Sequence, residues 1–500
     1  MKGISLKTPH IKKKNAPTYA RVILILQTIN NTCFNLRQNM RNKYTWLSRL
    51  PLLAGCLFLM VSCNDQRESS ADYSRYFEAL PFDMQPVEAP VFPALTIEAF
   101  ATDSAFIQQA IDSVAFLGGG TVVIPAGAWV SAPIELKSNV ELHLSKGAIV
   151  SFSTSPEDYP VIERWYEGQK REKAVSPISA TDAENIAITG EGIFDGNGDY
   201  WRPVKQMGVS PSLWRDFTRR GGFFNEDGKT WYPMEKSTLR PVMVDLENCR
   251  QVLLKDITFR NSPAWCLHPV LCRDVIIDGV KMLNESYAAN GDALDIESCS
   301  NVLVKDCFLD AGDDAICIKS GKDEEGRQRG VPTERVVIDG CTVYNGHGGF
   351  VIGSEMSGGV RNIKVSNCTF TGTDNGLRFK SCRGRGGVVE NIWCSNIHMN
   401  SIRSRAILFD LYYFTKGDRE EKPVDETTPS FHHIYMDGIT CSSAGSVGIM
   451  QGLPEMPLHD VELSNVHITG DRPFEAIDTA RIRFQNVVFT AQDSIWKSMN

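Results

Sequence analysis

From about residue 120 onward, short runs of alternating apolar and polar residues recur along the chain, each ended by a small polar turn. Copies begin at Val140, Ile186, Val252, Val275, Val302 and Val336, and again at Ile363, Ile392, Ile434, Val461 and Ile482. Period-two alternation buries one set of side chains and exposes the other, so each copy predicts a half-buried strand. Most copies read strand, Asp-Gly or Asn/Asp turn, second short strand. Asn248, Asn301, Asn362 and Asn391 recur at or near the entry to the first strand, which suits a bend where a side-chain amide bonds the backbone. Repeats of roughly 20 to 35 residues predict a solenoid in which each coil hydrogen-bonds its neighbours. The expected fold is all-β, a right-handed parallel β-helix. A β-propeller needs about 40 residues and four strands per blade, and these units are too short.

Ahead of the repeats, Phe106, Ile107, Ala110, Ile111 and Val114 fall on one helical face, with Thr102 or Asp103 as N-cap and a run of three glycines as the stop. Such a helix is expected to cap the open end of the solenoid core. The pattern breaks at about 199–240, rich in Trp and Tyr, and at about 412–430. Long insertions in a solenoid become surface loops. Their aromatic rings either stack on a ligand or form small hydrophobic patches.

The N-terminal part divides differently. Residues 1–39 are basic and without pattern, and read as an over-extended N-terminus with Met40 as a possible start. Residues 40–62 place Arg41, Lys43 and Arg49 before an apolar run that ends in Val61 and Ser62. That is the order of a secretory signal, and the run is short for a membrane span of about 18 residues. The segment ending in Cys63 resembles a bacterial lipoprotein cleavage box. It implies a cell-envelope lipoprotein, periplasmic or on the outer membrane, touching the membrane only through lipid on Cys63. Residues 63–95 read as a tether, and 96–500 as the folded domain.

A net charge of −8 argues against a general nucleic-acid binder. The 14 cysteines include no Cys-x-x-Cys pair. Cys307, Cys341 and Cys368 occupy a repeat position held elsewhere by Ile257, Val280, Ile397 and Val466, so they are expected to pack as small apolar residues.

Four polar clusters interrupt the repeats, and they carry the chemistry. They are Asn290-Gly-Asp292, Gly312-Asp313-Asp314, Gly346-His347-Gly348-Gly349 and Arg378-Phe-Lys380. One repeat in sequence is a sideways step of about 4.8 Å in space, so all four are expected on one patch. Three carboxylates so close cannot all ionise freely, and one is expected to keep its proton as an acid. His347 is placed to bond that group, while Arg378 and Lys380, two apart on a strand, point outward together. Two cations beside three carboxylates suit either a charge network or recognition of an anionic ligand.

In this order the clusters resemble the polygalacturonase family of glycoside hydrolases, family 28, over roughly residues 96–490. The resemblance implies inverting hydrolysis of α-linked galacturonate in pectic polysaccharide or oligosaccharide, with no metal or other cofactor. By this resemblance Asp313 is the general acid, Asp292 and Asp314 activate water, and His347 tunes the acid. Arg378 and Lys380 bind the substrate carboxylate, with Asn290 beside them. Gly291 stands where the family usually has Thr. The 199–240 insertion is expected to wall one end of the groove and make the enzyme exo-acting. The alternatives are a calcium-dependent β-helical pectate lyase and a non-catalytic β-helix that binds polysaccharide.

Overall fold

The recurring copies in the sequence are register partners in space. In the computed structural model, which describes residues 72–99, 103–415, 418–492 and 494–498, Val252, Val275, Val302, Val336, Ile363, Ile392, Ile434, Val461 and Ile482 form one continuous column of parallel neighbours. The chain is a right-handed parallel β-helix with a 22-stranded and an 11-stranded sheet. The larger sheet holds two ladders, one through Ser300–Lys305 and one through Phe308–Asp310. From Val388–Asn400 onward single long strands bend through both. The 11-stranded sheet runs from Ile134–Glu135 to Phe474–Ile477 and forms the third wall of each coil. Inward side chains from the walls make one core along the axis, and Phe379 stacks on Phe409 there at 4.2 Å between ring centres.

The capping helix spans Phe106–Phe116 and buries the five residues expected of it. Its N-cap differs. Ala105 holds that position without a side-chain bond, and Asp103 instead accepts the Ala105 amide at 2.9 Å; Thr102 lies outside the described residues. The turn asparagines also differ. Asn248, Asn301, Asn362 and Asn391 all have φ between 54° and 57°, a left-handed conformation that Asn tolerates better than most residues. Three of their amides reach sideways to the neighbouring coil, Asn248 to Asp182, Asn301 to Asp274 and Asn391 to Asn362. Stacking between coils, rather than a bond to their own backbone, is what repetition of the turn makes available.

The tether expectation needs correction from residue 72 onward. Tyr73, Val87 and neighbours lie on the outer face of the large sheet against Leu253, Ile276, Leu303 and Val337. Tyr73 donates to Asp278 at 3.0 Å, and Val91 and Asn185 exchange two hydrogen bonds. This segment is a strap, because the outward side of that sheet carries apolar residues that need cover. The signal segment, Cys63 and the start of the tether fall outside the described residues. Among the described residues no helix is long and apolar enough to cross a membrane.

The eleven described cysteines are all buried and unpaired. Cys307, Cys341 and Cys368 are at most 1% exposed, in the core with their Ile and Val counterparts.

Candidate active site

Parallel register turns the four clusters into neighbours on the outward side of the 11-stranded sheet. Trp265, Asp292, Asp314, Gly348 and Asn375 occupy one row across five successive coils. Asp313 and His347 precede that row by one residue, and Arg378 follows Asn375 by three. One oxygen from each of Asp292, Asp313 and Asp314 lies within 4.8 Å of the others. All seven residues singled out in the sequence are brought to this patch.

Each carboxylate has a different environment. Asp314 is 2% exposed; Arg378 donates to its Oδ1 at 2.8 Å and Lys380 to its Oδ2 at 2.7 Å. Burial pushes its carboxyl up, but Lys380 and Arg378 outweigh burial and hold it well below the usual range. Asp314 is a fixed anion. Asp292 is buried without such a partner, and its Oδ1 has no hydrogen bond within the protein. Burial first, then the charges of Asp295 and Asp313, push its carboxyl well above the usual range. Asp313 is the accessible member, 25% exposed, with His347 Nδ1 at 2.9 Å from its Oδ1. That bond is the main cause raising the His347 pKa. The site therefore holds a proton, on Asp292, at a pH where isolated carboxyls have lost theirs.

The glycines have specific work. Gly348 stands between Asp314 and Asn375, and a Cβ there would meet Val351 Cγ2 at 2.4 Å and Arg378 Cδ at 3.3 Å. Its bare backbone is the gap through which Arg378 reaches Asp314. Gly346 has φ +115°, which L side chains rarely adopt. At Gly291 a Cβ would lie 2.7 Å from that of Ala288, so the turn before it has closed over the space a Thr would use.

Arg378 and Lys380 do lie on the outward side with Phe379 inward, but neither is free. Their side chains are 12% and 7% exposed, and Tyr413 from the second irregular segment lies over both, with ring centre 5.6 Å and 5.1 Å from the charged groups.

Several groups here gave no readable sequence signal. A hairpin of Val161–Tyr166 and Gln169–Ala174 lays Tyr166 on Trp265 at 4.5 Å between ring centres. Lys319 Nζ sits 3.7 Å from the Trp265 ring and 3.1 Å from Asp295. His268, Glu297 and Arg329 continue the buried charge network. The signal for Trp265 was its place one repeat before Asp292. The hairpin has no repeat to mark it. The 199–240 insertion folds into a helix at Pro211–Thr218 and a small antiparallel sheet. Its Phe217 and Trp231 pack together as a patch beneath the loop. At its end Arg240 donates to Asn290 Oδ1 at 2.6 Å.

Three clustered carboxylates and buried cations on the outward wall of a β-helix define a carbohydrate-active enzyme of the acid–base type. The comparisons with known proteins make this particular. The model of "Glycosyl hydrolases family 28" matches residues 121–487, and the chain belongs to that family. It is 27% identical over 458 residues to a probable polygalacturonase of Vitis vinifera, covering 89% of this chain and 86% of the relative. It is 25% identical to an exo-poly-alpha-D-galacturonosidase of Dickeya chrysanthemi, over 79% and 70% of the two chains. The structure of a hyperthermoactive exopolygalacturonase from Thermotoga maritima superposes with a TM-score of 0.68 and 30% identity, covering 83% of this chain and 95% of that one.

Proposed function

We propose that this enzyme hydrolyses α-linked galacturonate in galacturonan chains from a chain end, with inversion at the anomeric carbon. The family and the named relatives support the substrate and the reaction. The observation that carries the chain-end assignment is the Tyr166–Trp265 stack. It fills the row one coil before Asp292 and ends the groove beside the aspartates.

In this reading Asp313 protonates the departing oxygen, and His347 holds it in position. Burial keeps a proton on Asp292 in the resting site; passed to Asp313, it leaves Asp292 ionised, and Asp292 with the fixed anion Asp314 then orients and activates the water. Arg378 and Lys380 keep Asp314 ionised and present the remaining positive charge to the substrate carboxylate. One oxygen from each carboxyl lies within 4.8 Å of the others, nearer than the roughly 6.5–9.5 Å usual between acid and base in inverting enzymes, so the anomer released is the direct test of inversion.

A time course on polygalacturonate tests both parts. Wild type is expected to release monogalacturonate first, with saturated ends, as the β-anomer by proton NMR, and at an unchanged rate in chelator. Tyr166→Ala is expected to add longer products by opening the closed end. Early long oligomers from wild type would overturn the chain-end assignment. Unsaturated, chelator-sensitive product would mean a lyase.

The export signal and the lipid on Cys63 are part of the proposal, supported by the charge, apolar and small-residue order of residues 40–63. Cys63→Ser is expected to move the protein from the membrane fraction to the soluble fraction and to abolish labelling by radioactive palmitate. Unaltered labelling would refute the anchor.

A further inference from the structure

Three lysines of the described chain are buried, namely Lys173, Lys319 and Lys380. Lys319 faces Asp295 at 3.1 Å and Lys380 faces Asp314 at 2.7 Å. Lys173 has no such partner. Among the described residues its ammonium makes no ion pair or hydrogen bond, and it lies 3.7 Å from the centre of the Tyr166 ring. A desolvated cation without a counter-charge is costly, and the fold retains this one at the closed end of the groove.

A second unpaired cation stands beside it. Arg240 forms no ion pair among the described residues; its donors go to Ala289 O and Asn290 Oδ1, and its Nε is buried without an acceptor. Burial and then the charge of Arg240 push the Lys173 ammonium down to about 8, against the opposing pull of Glu167. The two groups therefore share a field of one sign, and Arg240 is fixed on Asn290, two residues in sequence from Asp292. Tyr166 cannot serve as a stacking platform for a sugar there, since Trp265 covers one part of it and Lys173 another. It is a wall, and what the wall presents is positive charge.

The substrate supplies the complement. Each side of the scissile bond carries one carboxylate, and Arg378 with Lys380 lies on the coils beyond the aspartates. We propose that Lys173 and Arg240 bind the carboxylate of the terminal, non-reducing galacturonate held between the aspartates and the Tyr166–Trp265 wall. This rests on the hydrolase reading above. The non-reducing assignment follows from Asp292, the aspartate nearest the wall: its free oxygen places the water beside the sugar whose anomeric carbon is attacked. The aspartates then sit between two cation pairs, one for each uronate flanking the broken bond.

Two regioisomers of digalacturonate test this, one methyl-esterified on the non-reducing sugar and one on the reducing sugar. Wild type is expected to lose about 10- to 100-fold in kcat/KM on the first ester, the size of one charge-assisted bond. Lys173→Met and Arg240→Gln are each expected to lower kcat/KM on free digalacturonate by a similar factor. They are expected to leave the non-reducing ester within about twofold of its wild-type value, while discrimination against the reducing-end ester persists. Lys173→Arg is expected to restore part of the loss. Wild-type discrimination below about twofold on the non-reducing ester would overturn the proposal, and that measurement needs no variant to fold. So would variants that lower both substrates equally. If wild type cleaves no digalacturonate or galacturonan at all, the hydrolase reading falls first and this site falls with it.

Discussion

Asp313→Asn is expected to lower kcat on galacturonan by about 10²- to 10⁴-fold, the usual size of a lost general acid, with substrate binding and folding retained. The geometry singles out this carboxyl. Asp314 has both oxygens committed to Arg378 and Lys380, and Asp292 is nearly sealed from solvent. Asp313 alone is partly exposed and held by an imidazole. An amide keeps the shape but has no acidic proton to give to the departing oxygen. An aryl leaving group needs little protonation, so the same variant is expected to lose much less on p-nitrophenyl α-galacturonide. Retained wild-type turnover on the polymer would return the site to the non-catalytic alternative. An equal loss on the aryl substrate would transfer the acid role elsewhere, with Asp292 and its retained proton the first candidate.

Lys380→Met is expected to destabilise the fold by about 3–5 kcal/mol at neutral pH, the usual consequence of breaking a buried pair. Lys380 is fully packed at 7% side-chain exposure, and its loss leaves Asp314 in the same buried place with one cation fewer. The pH dependence gives a second readout. The Asp314 carboxyl is depressed in the folded state, so its stabilisation is complete above the unfolded value of about 3.9. It is lost as pH falls through the folded value. Wild type is therefore expected to lose stability on acidification below about pH 4. The variant, with a less depressed carboxyl, is expected to be less stable at pH 7 and flatter toward acid. Thermal unfolding at pH 7 and pH 3 makes the comparison. Matching midpoints at both would show that the pair contributes nothing to folding.

The repeats were legible because a β-helix writes its register into the chain: one residue per coil at each position, as in the column from Val252 to Ile482. The clusters were legible for the same reason, since Asp292, Asp314 and Gly348 are one repeat apart. The wall was not. Tyr166 and Lys173 sit on an antiparallel hairpin outside the repeat, and nothing local to Arg240 or Lys173 distinguishes them from surface charges. The strap from residue 72 onward was not legible either, because Pro- and acid-rich composition hides apolar residues whose partners, Leu253 to Val337, are far along the chain.

Sequence alone therefore determined the coil, the clustering of the three carboxylates and the family, all properties of a periodic pattern whose spatial step is constant. Tertiary structure decided which cations are spent on Asp314 and which stay unpaired, which carboxyl keeps a proton, and where the groove ends. Those depend on burial and on contacts between segments with no shared period, and a low-dielectric neighbour changes a charge more than its own residue type does.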